Sequence, residues 1–271
     1  MTNLMQRVAT AVVLIPLVVA TIFYLPWIGT GAVFGLVMLA GAWEWSALAG
    51  WAMRVRVAFV LVIALSIAGI GFAGFQWTLL LCGFACAWWL YAIVRVVLLQ
   101  RTQVWPRPSD ALWFVHGWTI LVPAWLALLE LHRSGPLGPA LVMLLMVIVW
   151  LADIGAYFAG RAFGHRKLAS NVSPGKTWEG AAGGAVTALC AVIGYGIWQL
   201  AEHWMLLFAL GIITVIISVF GDLTESAFKR ISGIKDSGGL LPGHGGILDR
   251  IDSLTAASPV FFLGIVGLGI A

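Results

Sequence analysis

LGPALVMLLMVIVWLADIGAYFAG, residues 137–160, identifies the solvent that this chain has to satisfy. A bilayer crossing takes roughly 20 apolar residues, and this stretch carries a single charge, Asp153, toward its end. A helix that is apolar on every side is buried either in protein or in lipid. The composition decides between the two. Of 271 residues, 62% are hydrophobic and 10% charged, with a mean hydropathy of +1.02. Such a chain cannot coat a water-soluble globule with polar surface. The apolar excess must face lipid, which makes this an all-α, polytopic membrane protein with about nine transmembrane helices.

Working outward, further apolar runs lie near 8–28, 30–50, 57–74, 77–98, 111–131, 178–199, 204–222 and 254–271. The first follows Arg7 but runs too long for a signal peptide and lacks a small-x-small cleavage pattern, so it reads as a retained span. The ninth is short and could begin inside the charged segment before it. The expected organisation is one integral membrane domain over 1–271, with N-terminal spans at about 8–131 and a catalytic region at about 137–271. No separate soluble domain fits.

Alternating nine spans puts 14 of the 15 Lys and Arg residues on one side, with Arg133 alone opposite. Basic residues collect in cytoplasmic loops. The N terminus is therefore expected in the cytoplasm, and the pI of about 9.2 needs no nucleic-acid partner. Trp27, Trp51, Trp77, Trp105, Trp178, Trp198 and Trp204 fall near span ends, as an interfacial aromatic belt requires. Cys82, Cys86 and Cys190 lie within spans and read as small packing residues, since nothing nearby completes a zinc site. Gly180 and Gly184 are spaced for close helix packing and leave a homodimer contact open.

The departures from lipid-facing sequence cluster twice on the basic side. The first cluster runs from Asp153 through Tyr157, Arg161, Arg166 and Lys167 to Ser173-Pro174-Gly175-Lys176-Thr177-Trp178-Glu179. The second starts at Asp222 and continues through Ser226, Lys229-Arg230, Lys235-Asp236, the loop Leu241-Pro242-Gly243-His244-Gly245-Gly246, and Asp249-Arg250-Ile251-Asp252. Six glycines and one proline between Gly233 and Gly246 prevent a regular helix there and let backbone amides approach a ligand. Asp249 and Asp252 share a face if helical. Paired carboxylates beside cations suit Mg2+ held between protein oxygens and phosphates, and Asp222 offers another carboxylate at a span end.

Each feature also has a plainer use. Lys229, Arg230 and Lys235 serve equally as topological anchors. His244 could simply bond the backbone. Glu44, between Trp43 and Trp45, could pair with a neighbouring helix or reach the interface. Carboxylates at the membrane boundary are costly unless paired or coordinated, however, so Asp153, Asp222 and Asp249 point to function. Gly175-Lys176-Thr177 imitates the end of a Walker A loop, but the required earlier glycine falls at Ser170.

Taken together, Ser226-x-x-Lys229-Arg230, Lys235-Asp236, Leu240-x-Pro242-Gly243-His244-Gly245-Gly246 and Asp249-Arg250-x-Asp252 resemble the signature of the phosphatidate cytidylyltransferases, or CDP-diacylglycerol synthases, of bacterial type. The upstream Ala152-Asp153, Gly155-Ala156-Tyr157 and Ser173 to Thr177 are similar to that family's second motif; Ile154 departs from its usual Ser or Thr. The resemblance implies cytidylyl transfer from CTP to phosphatidate at the cytoplasmic face of the bacterial inner membrane, with membrane lipid around it. It implies Mg2+ on Asp222, Asp249 and Asp252, and leaves open a second cation. Lys229, Arg230, Lys235, Asp236, His244 and Arg250 would act on the phosphates. Asp153, Tyr157, Ser173, Lys176, Thr177, Ser226, Gly245 and Gly246 would bind substrate. Competing readings are a related transferase acting on another lipid phosphate and an anion transporter, whose site would lie nearer the bilayer midplane.

Overall fold

The computed structural model describes residues 3–71, 74–102, 106–200, 202–239 and 245–270, with backbone alone over 3–11. Among them are nine α-helices and one short hairpin. In chain order these are α1 (Asn3–Tyr24), α2 (Trp27–Leu48), α3 (Met53–Ile70), α4 (Phe75–Thr102), α5 (Asp110–Arg133), α6 (Gly138–Phe163), the strands β1 (Lys167–Ala169) and β2 (Ser173–Thr177), then α7 (Trp178–Gln199), α8 (Trp204–Ile231) and α9 (Leu248–Gly267). Helices α2 to α8 are each long and apolar enough to cross a membrane.

Several boundaries move for identifiable reasons. Helix α1 stops at Tyr24 because Pro26 disfavours helical backbone before it and opens α2 instead. Gly50, at φ 70°, closes α2. Helix α8 runs nine residues past the expected end at 222, and α9 starts at Leu248 rather than 254. Both shifts carry charged residues into helix.

Helices α5 and α9 form the centre of the bundle. Helix α5 is buried over most of its length, and α9 packs against α8, α5, α4, α6 and α2. Helix α3 is almost wholly peripheral, with Phe59 and Ile63 its buried residues. Trp45 of α2, Trp113 of α5 and Phe228 of α8 meet with ring centroids 4.8–5.1 Å apart. The Trp45 indole also donates to the Trp113 carbonyl at 3.0 Å. This aromatic knot fixes three helices around the residue after Phe228, which is Lys229.

Helices α6 and α7 pack backbone to backbone. A Cβ on Gly180 would stand 2.9 Å from the Ala156 carbonyl oxygen, and one on Gly184 would collide with the carbonyl of Ala152. The Gly180/Gly184 face is thus occupied within the chain, by α6. Trp27 stacks under the Arg133 guanidinium at 4.6 Å, anchoring the end opposite the basic cluster. Trp77, Trp178 and Trp198 are exposed, as a belt requires, whereas Trp51 packs on Phe59. Trp105 lies outside the described residues.

Candidate active site

The C-terminal turns of α8 supply the first group of side chains. Asp222 accepts from the Ser226 hydroxyl one turn on at 3.2 Å. One turn further, Lys229 is buried and places its ammonium 2.6 Å from Asp249 Oδ1 and 3.2 Å from Glu225 Oε1. Glu225 is itself buried, with neither carboxylate oxygen accepting a well-formed hydrogen bond. The helix ends in a Schellman motif: the Ile234 amide reaches back to the Lys229 carbonyl at 3.0 Å and that of Gly233, at φ 72°, to Arg230 at 3.1 Å. That reversal sends residues 235–239 back across the site.

Asp249 gathers this returning chain. Its carboxylate accepts from Ser237 N at 3.1 Å and Gly246 N at 3.0 Å, in addition to Lys229. An acid in the first turn of α9 reaching back three residues is a capping arrangement, and it faces the positive end of the helix dipole. Gly245 has φ 80°, and a Cβ there would come within 3.1 Å of Asp249 Oδ2, so the turn calls for glycine.

Glu44 completes the cap from the far end of the sequence. It is 3% exposed, and its Oε2 accepts from Leu248 N at 2.8 Å and from the Ser237 hydroxyl at 3.2 Å. An acid from α2 therefore seats both the start of α9 and the loop before it. Of the two roles open to it from sequence, structure assigns pairing across the bundle.

The hairpin delivers the opposing charge. Thr177 caps α7 by accepting from Gly180 N at 3.1 Å, and Glu179 accepts from the amides of His165 and Arg166 at 3.1 Å. With both strand ends tied to α7, Lys176 projects to Asp222 at 2.5 Å. The small-residue seam between α6 and α7 keeps Asp153 close by.

These pieces enclose a cavity of about 350 Å³ at the end of the bundle where the basic residues collect. Asp153, Tyr157, Lys176, Thr177, Asp222, Asp249, Arg250 and Asp252 all line it. Ser226 joins through Asp222, and Gly245 and Gly246 through Asp249. Ser173 starts β2 outside the lining, and Arg230 donates to the Val172 carbonyl at 3.2 Å as a brace for the hairpin. Lys235 and Asp236 are exposed on the returning segment. His244, within 240–244, lies outside the described residues. Ile154 is 52% exposed and absent from the lining, so the missing hydroxyl changes nothing in the cavity wall.

Two residues enter that were not among the candidate site residues, Glu225 and Glu44. Glu225 carried a signal, being an acid inside an apolar run with Asp222 three residues before it and Lys229 four after. Glu44 carried none that fixed its partner.

The four carboxylates in the lining, with buried Glu225 behind them, face three cations, Lys176, Arg250 and Lys229, which leaves two more acids than bases. Hard oxygen donors with that surplus suit a divalent cation such as Mg2+. Among the described residues, no three acidic, His or Cys side chains are grouped tightly enough to close on an ion in this conformation. The Lys176 ammonium stands beside Asp222 where such an ion would bind.

The sequence model of the cytidylyltransferase family matches residues 5–266. The chain belongs to that family. It is 45% identical over 263 residues to a phosphatidate cytidylyltransferase of Pseudomonas aeruginosa, covering 95% of each chain. It is 37% identical over 285 residues to a protein of the same name from Haemophilus influenzae, covering 95% of this chain and 97% of the other. The match to the Bacillus subtilis protein of that name is 44% over 138 residues, about half of each.

Proposed function

We propose that this membrane-embedded enzyme transfers the cytidylyl group of CTP to phosphatidate, giving CDP-diacylglycerol and pyrophosphate, at the cytoplasmic face of a bacterial inner membrane. The observation that carries this reading is one cavity in which carboxylates, a lysine and an arginine meet the apolar side chains Val215 and Val219 at the basic end of the bundle. A water-soluble nucleotide and a lipid phosphate can both reach such a place. Relatives bearing the activity in their names align over nearly the whole chain.

Asp222, Asp249 and Asp252 would hold Mg2+, with Asp153 facing them across the cavity. Bound there, the ion would offset phosphate charge and polarise the phosphorus that is attacked. Lys176 and Arg250 would pair with phosphate oxygens, Lys176 exchanging Asp222 for substrate. The Asp249 cap holds the glycine-rich turn, whose amides suit a phosphate. Phosphatidate supplies its own oxyanion, so no enzyme nucleophile is needed. Its oxygen forms the new bond to the α-phosphorus of CTP as the bond to pyrophosphate breaks.

The test is to incubate purified protein with CTP, Mg2+ and phosphatidate and to follow CDP-diacylglycerol and pyrophosphate. Both should appear in equal amounts, and initial-rate plots in the two substrates should intersect. Pyrophosphate exchange into CTP should require the lipid. Exchange at full rate without lipid would overturn direct transfer, and absence of product with active control enzyme would overturn the function.

A further inference from the structure

A second cavity, of about 260 Å³, opens on the other side of α8. Thr224, Ala227 and Phe228 face it, whereas Val215, Val219 and Asp222 face the catalytic cavity, and the two share no lining residue among those described. Residues 222 and 224 project to nearly opposite sides of a helix. Both cavities lie toward the same end of the bundle.

Its polar lining consists largely of hydrogen-bond donors. Arg95 is exposed on α4 and has no hydrogen-bond or ion-pair partner among the described residues. Arg107 gives one contact to the Ala49 carbonyl and keeps the rest of its donors. His116 accepts from the Trp88 indole at Nδ1, 2.9 Å away, which leaves its ring proton on Nε2 as a donor. No carboxylate among the described residues lines this space. The remaining wall is apolar, with Leu99, Leu112 and Phe228 in it.

Helix α4 has 28 residues, about 42 Å at 1.5 Å each, against a hydrocarbon thickness of about 30 Å. Its last turns therefore overhang into the headgroup layer, and Arg95, seven residues from Thr102, sits near the boundary. Tyr91, Val94 and Leu98 around it are exposed, the form of a lipid-facing surface on a spanning helix. A cation at this depth with no protein counter-charge marks a binding site.

We propose that this cavity holds an anionic phospholipid that does not react, with its phosphate between Arg95, Arg107 and His116 Nε2–H and an acyl chain along the apolar wall. Tyr91 and Leu112, both in the lining, are exposed apolar side chains on spanning helices, which commits the occupant to the bilayer rather than the cytosol. The site is separate from the catalytic reading and can be tested without it.

The experiment is native mass spectrometry of detergent-solubilised protein carrying phosphatidylglycerol or phosphatidylcholine. The wild type should retain one phosphatidylglycerol that phosphatidylcholine does not replace. Arg95→Gln should retain it about tenfold less, as expected for loss of one charge-assisted phosphate contact. Leu112→Trp, which fills the apolar part, should lose it too. Cytidylyl transfer by Arg95→Gln in zwitterionic micelles should match wild type. Equal phosphatidylglycerol retention by wild type and Arg95→Gln would overturn the site. Displacement of the lipid by equimolar inorganic phosphate would overturn a lipid occupant, and slowed transfer by Arg95→Gln in zwitterionic micelles would put Arg95 in the path of the reacting lipid instead.

Discussion

Lys229 stands between buried Glu225 and half-buried Asp249, so its charge cannot be removed without leaving theirs. Breaking a buried pair from one side costs about 3–5 kcal/mol, and Lys229→Met should lower the melting temperature in detergent sharply. Adding Glu225→Gln to that variant should restore part of the loss, which thermal unfolding would show. Asp249→Asn and Asp222→Asn ask a different question, because they keep size while removing the charge that would hold a divalent ion. Transfer should fall by about 100-fold or more in each. Asp249→Asn should also unfold earlier than Asp222→Asn, since Asp249 also serves Lys229 and two backbone amides. Near-normal activity with unchanged Mg2+ dependence in Asp249→Asn would remove it from the metal site. Asp153, Asp222 and Asp249 were legible from sequence because a carboxylate at a membrane boundary is conspicuous. Glu44 was visible but not interpretable, since its donors stand 193 and 204 residues away.

Hydropathy located the helices well and their charged ends poorly. A run of apolar residues stops counting at Asp222, yet α8 continues to Ile231 because Asp222 finds a partner in the hairpin, Lys229 one in α9, and Glu225 the Lys229 ammonium one turn on. The hairpin of three and five residues was not anticipated; strands that short, with Pro174 and Gly175 inside, leave almost no periodic pattern. Its placement depends on α7 lying flush against α6. Gly184→Val should push the helices apart at the Ala152 carbonyl, lowering both stability and transfer, because Lys176 and Asp153 would separate. Gly83→Ala, where nothing stands within 4 Å of a Cβ, is the control and should leave both unchanged. Equal behaviour of the two variants in a thermal and activity assay would dismiss the seam as a positioning device.

Across the whole molecule, the basic residues of the alternating helices gather at the end that holds both cavities. The expected orientation places that end in the cytoplasm, where CTP is. With Cys82, Cys86 and Cys190 replaced, single cysteines at Arg54 or Ser173 should be protected from an impermeant thiol reagent applied to intact cells, and one at Arg133 should be labelled. The reverse pattern would turn the site away from its nucleotide. The span from Glu44 to Leu248 has a further consequence, for the order in which the protein is made. The second helix enters the translocon carrying an acid whose amide and hydroxyl partners have not yet been synthesised, and an unpaired carboxylate in the bilayer is costly. Until α9 follows, that helix should rest near the membrane surface, where water serves Glu44 in place of its later partners. The ninth helix to leave the ribosome is then the one that lets the second settle, and nascent chains stalled before residue 248 should expose α2 to quality-control proteases that the finished protein escapes.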